Sequence, residues 1–205
     1  MNTSTKLKPA LAALALGLAL LPAAQAQKAV KFPAGLKWEM MKLAAFDDDY
    51  IKETVSPAEK NLAAEIWKEE IKSLPNNNFT NKRESSSVLV GVFENDKYRY
   101  VFSSLWSGAH PECTAPSGTL GHSVVGLENM QLYPTCPMRI VRMDKSSREI
   151  KTWKQKDFCF VHEDFKNTPL DKNHTEMAVS GNVAYFRSIQ YGKHVLRCDR
   201  AIQLQ

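Results

Sequence analysis

The chain has 205 residues, with 27 Lys or Arg against 22 Asp or Glu and a formal net charge of +5. That balance is too mild and too scattered to argue for a nucleic-acid partner. The length suits one domain, large enough to bury a real core.

Lys6 and Lys8 open the chain, and an apolar run follows from Leu11 to Leu21, ending in Pro22 and the small residues Ala24 and Ala26. A charged start, a short apolar middle and an A-x-A end form the pattern of a secretory signal peptide over residues 1–26. A membrane-spanning helix needs roughly 20 apolar residues, so no permanent membrane anchor is expected. No Cys follows the small residues, so a lipid anchor is not expected either. The Ala/Leu-rich start without acidic residues points to a bacterial protein exported to the periplasm, with full secretion as the alternative. Cleavage after Ala26 removes two lysines and leaves 27–205 as a single domain. The acidic run Asp47-Asp48-Asp49 reads as a solvated loop, because the D-x-D-x-D-G spacing of a calcium loop is missing.

Across residues 28–50, Leu36, Met40, Leu43 and Ala44 recur at helical spacing, which predicts a short helix. Ser56-Pro57-Ala58-Glu59 is a second helix start. Ser56 can cap, Pro57 suits the first turn, and Glu59 can reach back to the cap. Leu62, Ile66, Trp67, Ile71 and Leu74 then form one apolar stripe. From Val88 onward the pattern changes to strands. Asn95-Asp96-Lys97 lies between two β-rich runs and marks a hairpin. Asp144 to Ser147 marks a second, and Tyr191-Gly192-Lys193 a third. In the last strand Leu196, Cys198, Ile202 and Leu204 share one parity, which places them inward. Helices first and hairpins afterwards predict an α+β fold: N-terminal helices packed on one antiparallel sheet of about six strands.

Cys113, Cys136, Cys159 and Cys198 are the four cysteines. An even count in an exported chain reads as disulfides, and three pairings are open. Cys113–Cys136 and Cys159–Cys198 are preferred, because the first closes a Pro/Gly-rich loop and the second joins two strands. Residues 103–121 and 165–175 are rich in turn formers, and long stapled loops are where binding tends to sit.

Chemistry is sparse. No P-loop, dinucleotide fingerprint or G-x-S-x-G elbow occurs, so no cofactor is expected. His110-Pro111-Glu112-Cys113 with His122 contains zinc-ligand types at a spacing unlike the usual zinc patterns, so no metal is expected. Cys113 with His122 and His162 would supply a thiol mechanism, but only if a thiolate is left free. Trp, Tyr and Arg anchor protein interfaces, and Trp106 stands at the entrance to the long loop. The expected function is therefore a non-catalytic periplasmic binding or inhibitor protein, of the immunity or envelope-accessory kind. It would present Trp106, His110, Glu112 and His122 to another envelope or secreted protein. The alternatives are an envelope hydrolase, meaning a cysteine- or zinc-dependent peptidoglycan amidase, and a small-ligand carrier holding its ligand between helix and sheet.

Overall fold

The computed structural model describes residues 30–47, 51–78, 80–114, 133–162 and 172–204. The expected signal segment 1–26, Asp48, Asp49, His122 and much of both long loops lie outside these. Among the described residues, ten strands and two short α-helices follow one another: β1 (Glu39–Met40), β2 (Lys42–Phe46), α1 (Pro57–Ile66), α2 (Lys68–Ser73), β3 (Ser86–Glu94), β4 (Tyr98–Trp106), β5 (Thr135–Asp144), β6 (Ile150–Cys159), β7 (Asn173–Ser180), β8 (Val183–Gln190), β9 (Lys193–His194) and β10 (Arg200–Gln203). Among the described residues 49% are strand and 14% helix, so the protein is mainly β and not α+β.

The strands form two sheets. The first runs β2-β3-β4-β5-β6, each strand antiparallel to its neighbour. The second runs β1-β7-β8-β10, with β9 also on β8. The main core lies between them. Leu43, Leu89, Phe102, Met138, Ile140 and Phe158 of the first sheet meet Met177, Ala184, Phe186 and Ile202 of the second. At Gly91 the two sheets come close: a Cβ there would lie 3.1 Å from Met177 Sδ, so a larger residue would require the Met177 side chain to shift.

The expected helix within residues 28–50 is absent, and two strands take its place. β2 is buried on both faces. Leu43 and Ala45 enter the main core, while Ala44 faces the opposite side with Val88 and Val90. A strand buried on both faces reads as an unbroken apolar run, which carries no period-2 signal to separate it from a helix. One sheet of about six strands is likewise replaced by two. The hydrophobic pattern of a strand marks a buried face, and it does not say which sheet supplies the other side.

The Ser56 helix start has the expected cap. The Ser56 hydroxyl accepts from Glu59 N–H, and the Glu59 carboxylate accepts from Ser56 N–H at 2.8 Å. The helical stretch breaks at Trp67 into α1 and α2. Ala63, Trp67 and Ile71 form a smaller cluster with Val88, Val90, Val101, Leu105 and Val141 on the outer face of the first sheet.

The expected last strand is also interrupted. Leu196 to Cys198 is a 3-10 turn, and Leu196 is 73% exposed. Cys198 is buried. The chain contains two disulfides, Cys113–Cys136 and Cys159–Cys198. The second joins the end of β6 to the turn before β10, so it ties the two sheets together. Arg200 reinforces that junction. Its guanidinium donates to the carbonyls of Arg197, Asp199 and Asp157 at 2.7–2.8 Å. Asp157 lies in a bulge where Lys156 and Asp157 stand opposite Pro137. Proline has no N–H to offer the ladder, which is why the pairing slips there.

Candidate binding surface

The outer face of the first sheet, next to α2, carries a row of polar contacts that ends at the expected site residues His110 and Glu112. Trp67 is fully buried there, and its indole N–H donates to Ser103 Oγ at 3.0 Å. The Arg139 guanidinium lies 4.3 Å over the Trp67 ring. Arg139 Nη1 also donates to Ile66 O at 2.7 Å and to Glu70 at 3.0 Å. Helix α1 has no basic residue in its last turn, so Arg139 brings positive charge to its C-terminal carbonyls from a neighbouring strand.

His110 sits at the end of this row. A turn folds it back, with His110 N–H donating to Ser107 O at 3.0 Å, and its ring meets Trp67 edge-on with centroids 6.5 Å apart. Glu112 N–H donates to His110 Nδ1 at 3.2 Å, which leaves the imidazole proton on Nε2. Burial lowers the His110 pKa, against the pull of Glu112 and Glu70. The Glu112 carboxylate is held below its ordinary range by the Lys154 ammonium, at 2.5 and 2.6 Å, helped by His110 and Lys156. The Cys113–Cys136 bond and the Thr114–Thr135 bridge pin this loop to β5.

A pH effect follows from His110. The folded protein keeps the ring neutral below the ordinary histidine value of about 6.5, while the unfolded chain takes up a proton there. The unfolded state then binds more protons, so stability falls as pH drops through that range. The denaturation midpoint at about pH 5.5 is expected to lie further below that at about pH 7.5 in the wild type than in His110→Gln. Equal drops in both proteins would remove His110 as the cause.

The expected site residues are not all brought together. His110 and Glu112 share the outer face with Arg139 and Lys154. Trp106 points the other way, half-buried against the main core, its ring centroid 6.2 Å from that of Phe160. His162 follows β6 and is partly buried. The Cys113 sulfur is bonded to Cys136 and carries no thiol proton to lose. His122 lies outside the described residues. Glu70 and Lys154 complete the surface above the buried Trp67 ring, and none of the three is among the site residues expected from sequence. The only local signal was Trp67 on the apolar stripe.

A second polar group lies on the outer face of the second sheet. His194 Nε2 and Asp199 Oδ1 are 2.6 Å apart, and Asp199 is buried. Burial raises the Asp199 pKa, and the hydrogen bond and charge of His194 oppose it. Phe32 packs edge-on against Trp38 and Tyr185, and Arg187 covers Trp38 while pairing with Glu176. Among the described residues, no group of three His, Cys, Asp or Glu side chains is arranged to hold a metal ion. No helix among them is long and apolar enough to cross a membrane. No protein-family model, curated protein or solved structure matches this chain.

Proposed function

We propose that this is an exported periplasmic binding protein without catalytic chemistry, of the inhibitor, immunity or envelope-accessory kind. The surface of His110, Glu112 and Lys154 would take another envelope or secreted protein. The observation that carries the reading is the state of the sulfur atoms. All four cysteines are joined in disulfides, so Cys113 offers no thiolate, and its bond instead holds the His110–Glu112 loop rigid against β5. A pinned loop binds with less ordering cost than a free one. The seam between helix and sheet, where a carried ligand would sit, is filled by the Trp67 side chain.

The experiment uses the purified protein as bait in envelope extract, beside Glu112→Lys. The variant reverses a charge on an exposed ion pair, which costs at most about 1 kcal/mol of stability. A partner held by the wild type and lost by the variant is the expected result. Release of stem peptides from purified peptidoglycan, abolished in His162→Ala, would replace this reading with the amidase.

A further inference from the structure

We propose that β6 is the docking strand of this surface, and that its free edge takes an extended acidic segment of the partner protein as a sixth strand of the first sheet. The inference rests on the binding reading above and names the recognition chemistry of that site.

The two edges of the first sheet are treated differently. The β2 edge is closed. Leu43 N–H donates to Thr54 Oγ1 at 2.7 Å, and Ala45 N–H donates to Glu53 Oε1 at 2.9 Å. The N–H groups of Thr54 and Val55 donate to Leu43 O. Such cover is the usual defence of an edge strand. β6 is twice as long as β2, and among the described residues such cover is confined to its far end, where Arg200 donates to the Asp157 carbonyl; none is seen over Ile150 to Gln155.

Its register says which groups are on offer. Asp144 N–H donates to Glu149 O, so that pair is hydrogen-bonded, and alternation along an antiparallel ladder makes 142–151, 140–153 and 138–155 hydrogen-bonded as well. The backbone groups of Ile150, Thr152 and Lys154 therefore point away from β5. No proline or bulge interrupts this stretch; the slip begins only at Lys156 and Asp157. Ile150 is 64% exposed, a large apolar side chain at the end of an open edge. On the outer face it stands beside Met143, while Thr152 stands beside Val141 and Lys154 beside Arg139.

Charge chooses the occupant. Lys151 and Lys154, on opposite faces, and Lys156 at the bulge line the strand; Lys151 reaches Glu149 at 3.3 Å through an exposed pair, which an incoming carboxylate can replace at little cost. A second copy of this chain, paired edge to edge, would set lysines near lysines, which is destabilising. An acidic strand meets them with opposite sign. The Lys154 ammonium holds the Glu112 carboxylate at 2.5 and 2.6 Å in an exposed pair, so a partner's carboxylate would share or take over that ammonium. Backbone pairing then supplies affinity, and alternate side chains supply selectivity.

The probes are a synthetic peptide alternating Glu with Val and Thr, and a counterpart with Lys in place of Glu. Both are titrated into the full mature protein with amide exchange as the readout. The acidic peptide is expected to protect the amides of Ile150, Thr152 and Lys154, and to weaken as salt rises. Thr152→Pro removes one outward N–H that the internal ladder does not use. It is expected to bind about tenfold more weakly, with an unchanged denaturation midpoint. If that variant fails to fold, the Lys154→Glu and Lys156→Glu double variant decides instead, because its preference should switch to the basic peptide. Equal binding of both peptides, protection confined to other residues, or no switch of preference would overturn the proposal. An envelope partner captured equally by the wild type and Thr152→Pro leaves the binding reading standing and removes the edge. A protein that captures no partner removes the binding reading, while the peptide result still decides the edge.

Discussion

Trp67→Ala is expected to lose about 5 kcal/mol of stability, a large part of what a domain of this size has. Three effects add. The indole leaves a cavity between α1 and the outer face of the first sheet, where Ala63, Val88, Val101 and Leu105 surround it. Truncating a buried Trp costs about 3–5 kcal/mol by itself. Ser103 Oγ, buried in β4, then loses the N–H that reaches it at 3.0 Å. Arg139 loses the ring under its guanidinium. Trp67→Phe separates these effects. It keeps a ring beneath Arg139 and most of the volume, and it is expected to cost only about 1–2 kcal/mol through the lost hydrogen bond and the smaller ring. Urea denaturation of the two variants checks the order. Similar losses for Phe and Ala would mean that the hydrogen bond, not the packing, dominates.

Removing the Cys159–Cys198 bond by the double change Cys159→Ala and Cys198→Ala is expected to cost about 4 kcal/mol. The bond spans 39 positions of the chain, and closing a loop of that size restricts the unfolded ensemble by about that amount. Its place adds a structural consequence. Tyr133, Cys159, Val161 and Cys198 form a small buried cluster between the end of β6 and the turn before β10. Arg200 binds carbonyls on both sides of the same junction. Cutting the bond is therefore expected to loosen Arg200 too, so Arg200→Met in the disulfide-free background should cost less than in the wild type. A double-mutant cycle by denaturant titration reads that coupling. Strict additivity would show that bond and clamp act separately.

Much of the local structure was legible in the residues. Ser56, Pro57 and Glu59 act within one turn of each other, and the cap they imply is present. Asn95 signals a hairpin by its own chemistry, since its side-chain oxygen accepts from the N–H groups of Lys97 and Tyr98. Asp144 does the same in the next hairpin. The N–H of Ser147, with the hydroxyl and N–H of Ser146, holds its carboxyl well below the ordinary aspartate value. The even set of four cysteines, beside an N-terminus that reads as an export signal, implied disulfides, and two are present. Each of these inferences concerns groups that are close in sequence, or a count that needs no geometry.

The misses concern groups far apart. Leu43, Ala44 and Ala45 are buried on both sides because a second sheet covers one face of β2 and other elements the opposite one. With Leu36 and Met40 upstream, that doubly buried run leaves the same trace as helical spacing. The break at Leu196 to Cys198 came with the Arg200 contacts to Asp157, 43 positions away. The Glu70–Arg139 pair spans 69 positions, and the Trp67–Ser103 bond spans 36. Trp106 was legible as an aromatic at a loop entrance, but only the parity of β4 in the folded sheet turned it toward Phe160 and away from His110.

By itself, then, the order of residues determined the caps, the turns and the strand runs, because these depend on hydrogen bonds and dihedral preferences within a few positions. Which sheet each strand joins, which face of β4 turns to the main core, and which edge of the first sheet Thr54 and Glu53 cover were decided only in three dimensions. Those choices depend on long-range contacts whose energies arise only when the whole chain has folded.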